Sequence, residues 1–203
     1  MNNVKFDLFK TQKICKHDYY ENIIPFFGKG DFFCFSQFYF SDFTFSMVHI
    51  PKKLIDLFHE KLGSTILQEK LLENKTFNCC EKFMMAGKCM IFDPKSFDEL
   101  YMITTPAKCK EFGRKCIKNF DSVIWDSVSI YWVIIGNYLK FIQNKKLKKI
   151  LKDTNGYFLV EASPYDRIWG IGISESHPDI NKPNKWKGSN KLGDVLMTVR
   201  DII

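Results

Sequence analysis

Residues Cys79 to Phe92 read as a helix that is apolar almost all the way round, yet Glu81 and Lys88 stand within it. A helix without a polar face is a buried helix, so this segment belongs in the interior of any fold the chain adopts. Positions seven apart return to one side of a helix after about two turns, so the carboxylate and the amine project together, with Met84 and Met85 filling the turn between them. Burying two charges costs on the order of several kcal/mol unless they are paired or used. The pair is therefore the first place to look for chemistry.

The rest of the composition permits a proper core. Of 203 residues, 45% are hydrophobic and 16% aromatic, and the 20 phenylalanines suit both a packed interior and pockets that grip flat rings. The formal charge of +7 favours an anionic partner such as a phosphate ester, a nucleotide or nucleic acid, the alternative being a general lysine bias. The charge is spread along the chain, without the dense basic arm of a dedicated nucleic-acid binder. The seven cysteines form no C-x-x-C, Cys109 and Cys116 are too far apart for a zinc knuckle, and the four histidines add no ligand pattern. Free, buried thiols in a reducing compartment are expected, with no metal and no cofactor. Lys5, Asp7 and Lys10 interrupt any secretory core, and the longest strongly apolar run, Tyr131 to Ile135, is too short to span a bilayer. The expectation is a cytoplasmic protein with no membrane association. Oligomeric state is not legible.

Along the chain, residues 1–30 give little signal and read as a possible N-terminal extension of a single domain over 1–203. Phe33/Phe35 and Phe43/Phe45 alternate at period two and predict two short strands joined near Ser41-Asp42. Pro51 to Glu73 reads as helix, weakened at Gly63, with Ser64 able to cap a second segment. Asn78 opens the charged-pair helix, which stops before Asp93-Pro94. Ser96 with Glu99 reads as a capping box, and Pro106 as the first residue of a helix ending near Asn119. Asp121 to Asn144 is the longest and most apolar helix, followed by a basic helical stretch, Lys145 to Lys152. Tyr157 to Ala162 is β-rich, Ser163 to Asn190 is loop, and Ser189 or Asn190 caps a last helix. The fold class is α+β, mainly helical, with a small β-sheet.

Taken together, several stretches resemble the YbiA-like family, also called the NADAR domain. They are Cys80 to Lys88, Phe92-Asp93, Pro106 with Lys110, Gly113-Arg114-Lys115, Phe120-Asp121 with Trp125, Gly136-Asn137 with Lys140-Phe141, and Gln143-Asn144. The strongest block is Leu159 to Pro164 followed by Asp166 to Gly172; Trp186, Gly188, Asn190, Leu192-Gly193, Leu196-Met197 and Arg200 complete the set. Phe35-Ser36-Gln37-Phe38 resembles the N-terminal motif of the family, with Gln37 where an asparagine is usual. The stretch between Phe45 and Phe77 is longer than usual, and Ser129 stands where many members have a basic residue. The resemblance implies an N-glycosidase that hydrolyses the bond between a ribose C1 and an amine nitrogen. Family substrates include phosphoribosylamino-pyrimidine intermediates of riboflavin synthesis and ADP-ribose attached to the guanine amino group.

The residues are compatible with that chemistry. Cleaving a ribosylamine requires protonation of the leaving nitrogen and stabilisation or capture of the positive charge at C1. Glu81 can supply the proton. A neutral Lys88 can attack C1 of the ring-opened sugar and form a Schiff base that water resolves, or a charged one can act electrostatically. Asn78-x-x-Glu81 also fits an amide variant of the capping box, and Lys88 can instead reach water from the buried helix. In the loop Asp166 to Gly172, Asp166 can bond ribose hydroxyls or assist proton transfer. Arg167 can fork onto a phosphate, Trp169 can stack on a base, and Gly170 permits close backbone approach. The alternative is an Asp–Arg pair holding a loop against a core Trp. Trp125 is core or the floor of a base pocket. Asn137 and Lys140, three apart on one helix face, bind ribose and phosphate or form a solvated face. Arg114 reads as a phosphate contact or a surface ion pair. Trp186 packs and Asn190 caps. The lysines of 145–152 and of 182–191 are solvated faces, or track a nucleic-acid backbone.

The sequence thus predicts a hydrolase of N-ribosylamines with Glu81, Lys88 and Asp166 as catalytic groups and Trp125, Asn137, Lys140, Arg167, Trp169 and Gly170 as binding groups. Its partner is a phosphorylated ribosylamine or an ADP-ribosylated nucleotide or nucleic acid. The alternatives are a module that binds ADP-ribose or nucleic acid without turnover, and a structural protein without a compact polar pocket.

Overall fold

The computed structural model of the protein describes residues 19–62 and 69–203. In chain order the elements are β1 (Ile23–Phe26), β2 (Phe43–Thr44), α1 (Lys52–Leu62), β3 (Thr76–Phe77), α2 (Cys80–Phe92), α3 (Phe97–Met102), α4 (Pro106–Lys115), α5 (Ser122–Gln143), α6 (Lys145–Asp153), β4 (Phe158–Glu161) and α7 (Lys191–Ile202). The fold is α+β and mainly helical, with two-stranded sheets. The chain divides into two compact units. One takes the chain up to Ser36 with Ile150–Ile202; the other takes Gln37–Lys149 with Ile203, so one boundary falls inside α6.

The Gln37–Lys149 unit is built around α2. Helices α4 and α5 pack on α2, α1 packs on α5, and β2 and β3 pair antiparallel with Phe43 opposite Phe77. An aromatic cluster joins these elements. Phe83 of α2 stacks on Trp132 of α5 with ring centroids 4.6 Å apart and planes 5° apart, and Phe43, Phe45 and Phe77 close around Phe83. The Trp132 indole N–H donates to the Phe83 carbonyl at 2.9 Å, so the ring that fills the core also satisfies its polar atom. Close helix approach is possible because Gly87 faces Trp132 and Gly136 faces Phe83; a Cβ on Gly136 would come within 2.6 Å of the Phe83 ring.

In the other unit β1 pairs with β4 in parallel, from Ile23 opposite Phe158 to Phe26 opposite Glu161, and α7 packs on β4. Val160, Ala162, Ile171 and Ile173 form its core, with Ile23, Ile180 and Trp186 against it. Arg200 fastens α7 to the turn before β4, donating through Nη1 to the carbonyls of Thr154 at 2.6 Å and Tyr157 at 3.0 Å.

Several local expectations change. Phe33–Phe35 is a 3-10 turn, not a strand: Phe33 N–H bonds to the Gly30 carbonyl and Phe35 N–H to that of Phe32, so the aromatic alternation belongs to a turn burying Phe35. Strand β1 lies within the stretch read as an extension; it is four residues long and contains Pro25, which argues against a strand in sequence. Residues 1–18, and 63–68 with Gly63 and Ser64, lie outside the described residues. Helix α4 ends at Lys115 rather than near Asn119, and Asn119 takes a left-handed φ of 55° before α5 begins. Ser96 does not cap α3: its hydroxyl donates to the Asp93 carbonyl and contacts the Cys89 thiol. Asp121 does cap α5, accepting from Val123 N–H at 2.8 Å and Ile124 N–H at 3.1 Å.

Candidate active site

The capping box that Asn78 and Glu81 also fit does not form. Cys79 is the N-cap of α2, with its thiol accepting from Lys82 N–H at 3.5 Å, while the Asn78 amide donates to the Thr104 carbonyl at 2.8 Å. Glu81 lies in the first turn, 5% exposed, and its N–H donates to the Gln37 carbonyl at 3.0 Å. Lys82 is turned to a separate place: its ammonium donates to the Tyr101 carbonyl at 2.5 Å and sits 4.7 Å from the Tyr101 ring centre. Lys88, two turns after Glu81, is half-buried; its Nζ lies 4.6 Å from the centre of the Phe120 ring and 5.3 Å from that of Trp125.

The electrostatics of Lys88 are those of an amine in a drying environment. Burial pushes it below the ordinary lysine value of 10.5; the Glu81 charge pulls it back up, Arg114 pushes it further down, and Asp126 pulls it up again. Burial outweighs the carboxylates, so the neutral amine is more accessible to Lys88 than to an exposed lysine. The thiols around α2 move the other way. Burial raises Cys79 and Cys89 to about 11, and Cys80 and Cys109 to about 12, which leaves them protonated and poor nucleophiles. Lys82 on the same helix is also lowered by burial, but its ammonium is held by the Tyr101 carbonyl.

Helix α5 brings Trp125 to Lys88: the ring is 6% exposed, so it is both core and a surface presented to the amine. The solvated face considered for Asn137 and Lys140 is absent, since both residues are 0% exposed. Asn137 donates to the Val133 carbonyl at 2.9 Å and its Oδ1 faces the Cys80 thiol at 3.7 Å, tying α5 to α2. The Lys140 ammonium lies 5.4 Å from the Tyr39 ring centre and 5.2 Å from that of Phe141. Sequence reading missed Phe120 and Asp126 as neighbours of Lys88. Phe120 enters the sequence reading only through the Phe120-Asp121 and Trp125 pattern shared with the family, and Asp126 not at all.

The Ser163–Gly172 loop belongs to the other unit and is fully organised there. The Ser163 hydroxyl accepts from Asp166 N–H at 3.2 Å, and Asp166 Oδ1 accepts from Ile168 N–H at 3.0 Å and Trp169 N–H at 2.8 Å. This turn leaves Arg167 exposed, Trp169 half-buried and Gly170 buried. A second layer holds it: Asn190 N–H donates to Gly170 and Leu192 N–H to Trp169. A side chain on Gly188 would strike the Gly170 carbonyl and Arg167, so glycine is required at that crossing. Asn190, at φ 53°, does not cap α7 with its side chain as expected; its amide bridges Glu161 N–H and the Leu159 carbonyl of β4. Trp186 packs as expected, its indole N–H donating to the Ile180 carbonyl at 2.8 Å.

The model of the NADAR domain matches residues 25–203, a stretch that runs through both units. The chain belongs to the NADAR domain family. Among curated relatives, an N-glycosidase of Acanthamoeba polyphaga mimivirus is 43% identical over 123 residues, covering 60% of this chain and 71% of that protein. The chloroplastic riboflavin biosynthesis protein PYRR of Zea mays is 28% identical over 192 residues, covering 91% of this chain but 26% of that protein. Among solved structures, the NMR structure of Escherichia coli YbiA superposes with a TM-score of 0.63 over 92% of this chain and 89% of that one, at 23% identity. The YbiA fold is therefore the fold of this NADAR protein. Among the described residues no helix is long and apolar enough to cross a membrane.

Proposed function

We propose that this NADAR protein is an N-glycosidase that cleaves the bond between a ribose C1 and an amine nitrogen, with residues 25–203 acting as one domain. The observation that carries the reading is Lys88: an amine lowered by burial, under the influence of the Glu81 carboxylate and Arg114, and flanked by the rings of Phe120 and Trp125. The family and the mimivirus relative support the reaction class.

In the proposed course the lone pair of the substrate amine nitrogen opens the ribose ring, the ring oxygen taking a proton from Glu81, and the neutral Lys88 amine adds to C1 of the resulting iminium to give an aminal. The Glu81 carboxylate then takes a proton from the Lys88 nitrogen and passes it to the base nitrogen, so that the C1–N bond breaks, the base leaves and a Lys88 Schiff base remains. The Lys88 Schiff base then takes up water, which returns C1 to the aldehyde level and Lys88 to the amine; the net reaction consumes one water. A charged Lys88 that only stabilises the transition state is the alternative role. Trp125 and Phe120 offer ring faces to the base or the developing cation. Arg114 and the buried Lys140 are the proposed phosphate cations of the Gln37–Lys149 unit, and Arg167 is that of the other unit. Trp169 and Gly170 are proposed to meet the substrate, and Asp166 to hold their loop in the conformation that does so. Asn137 is proposed to position Lys140 by fixing α5 against α2.

The substrate is proposed to be a phosphoribosylamino-pyrimidinone or an ADP-ribosylated guanine, two forms of one bond. The PYRR relative supports the first, since it is named for riboflavin biosynthesis. The test is to incubate the protein with each compound and follow free base and free ribose phosphate or ADP-ribose by mass. Base released from either supports the reading and names the substrate. Binding to both without any release contradicts it and favours a recognition module.

A further inference from the structure

Four buried side-chain atoms beside α2 have no hydrogen-bond partner among the described residues: Nε2 and Oε1 of Gln37, Oγ of Ser41 and Oδ1 of Asn78. They share one neighbourhood. The Gln37 carbonyl accepts from Glu81 N–H at 3.0 Å, the Ser41 N–H donates to the Asn78 carbonyl at 2.9 Å, and Asn78 immediately precedes the Cys79 N-cap. All three residues therefore border the turn of α2 that carries Glu81. Asn78 still uses its amide nitrogen, on the Thr104 carbonyl. Gln37 uses neither end of its amide, although it is only 7% exposed.

A buried donor and acceptor left unmade cost the fold the desolvation of both, and native proteins keep few such groups. An apolar side chain of similar size would fill the same space without that cost. A primary amide retained there keeps one donor and one acceptor, about 2 Å apart by its covalent geometry, in reserve for a guest.

We infer that Gln37 is a specificity-determining residue of the glycosidase site, reading the base that leaves. The inference rests on the reading of Glu81 as the acid at the leaving nitrogen: the residue bonded to the Glu81 main chain stands beside the group that Glu81 protonates. Nε2 donates to a ring carbonyl and Oε1 accepts from the adjacent ring N–H. That donor–acceptor edge is common to an aminopyrimidinone and to guanine, so Gln37 recognises the lactam edge of either. Because its amide is closed to water, a base lacking that edge leaves both groups unpaired, the situation in which a binding site discriminates most strongly.

The test compares wild type with Gln37→Met, which keeps length and removes both hydrogen-bonding ends. Three quantities are read: kcat/KM on the lactam-bearing substrate, kcat/KM on a ribosylamine phosphate of a simple arylamine without a ring carbonyl, and Tm without ligand. The expected result is a loss of roughly 10- to 100-fold on the lactam substrate, an unchanged rate on the arylamine, and a Tm equal to or above that of wild type. A lowered Tm with equal loss on both substrates overturns the inference and assigns the amide to the fold, bonded to trapped water. Wild-type rates throughout overturn it as well. Calorimetric binding of the free base decides Gln37 separately from turnover, with wild type binding and Gln37→Met not; equal binding overturns the assignment. A wild type that releases no base from any substrate, yet binds the free base through Gln37, sinks the N-glycosidase reading and with it the specificity role, and leaves Gln37 only as a base-binding residue.

Discussion

Lys88 gains its reactivity from burial, and that fixes the sign of its pH dependence. Its folded value lies below 10.5, so the neutral amine grows in as pH rises through an inflection on the acid side of the ordinary lysine range. If neutral Lys88 attacks C1, the rate rises with pH through that inflection. A pH–rate profile of kcat checks this, and a rate that falls through the same inflection favours the electrostatic role of a charged Lys88. Asp194 on α7 gives a second titration. Burial raises its carboxyl from 3.8 to about 7. A carboxyl raised on folding favours the fold while protonated, so stability is fullest below about pH 4 and declines as pH climbs towards and past 7. Asp194→Asn removes the charge penalty, and a gain of roughly 1 to 4 kcal/mol at pH 8, vanishing near pH 4, is expected from denaturation at the two pH values. At this scale the sequence was partly legible. A carboxylate and an amine on an apolar helix announce themselves, because few folds bury such a pair for packing alone. The complete burial of Lys140, and the Phe120 ring lying over Lys88, depend on how helices and loops meet, which residue spacing does not encode.

Helices α2 and α5 are the elements that position the chemistry, and their packing rests on glycines. A Cβ on Gly87 would collide with the Trp132 indole, and that ring cannot swing away without losing its bond to the Phe83 carbonyl. Gly87→Ala is therefore expected to destabilise by about 1 to 3 kcal/mol through overpacking, read from chemical denaturation midpoints. Gly113→Ala is the internal control. Its new methyl meets only the flexible end of Met85, and the gain in helix propensity, about 0.5 to 1 kcal/mol, offsets the crowding. A larger loss for Gly113→Ala than for Gly87→Ala would contradict the packing account. The long helices were readable because apolar runs ended by Asp121, Pro106 and Asp93-Pro94 leave few alternatives. The short elements were not. Two-residue strands such as Thr76–Phe77 carry no periodicity, and β1 is a strand only because β4, far along the chain, pairs with it.

Across the whole molecule, the net charge of +7 separates the two proposed substrate sizes. Release of bound counterions makes binding to a nucleic-acid backbone fall steeply with salt, whereas a single phosphate ester loses far less. If the substrate is an ADP-ribosylated oligonucleotide, kcat/KM drops by an order of magnitude or more between about 50 and 200 mM salt. If it is a phosphoribosylamino-pyrimidinone, the change is severalfold at most, and comparing the two slopes decides which anion the lysine-rich surface serves. The account as a whole depends on Glu81 and Lys88 forming one reactive centre on α2. The most direct measurement is the rate of base release, followed by mass, for wild type, Glu81→Gln and Lys88→Ala, with circular dichroism and Tm taken on the same samples. The account predicts folded variants that release base at least about 100-fold more slowly than wild type; near-wild-type release from either folded variant would contradict it.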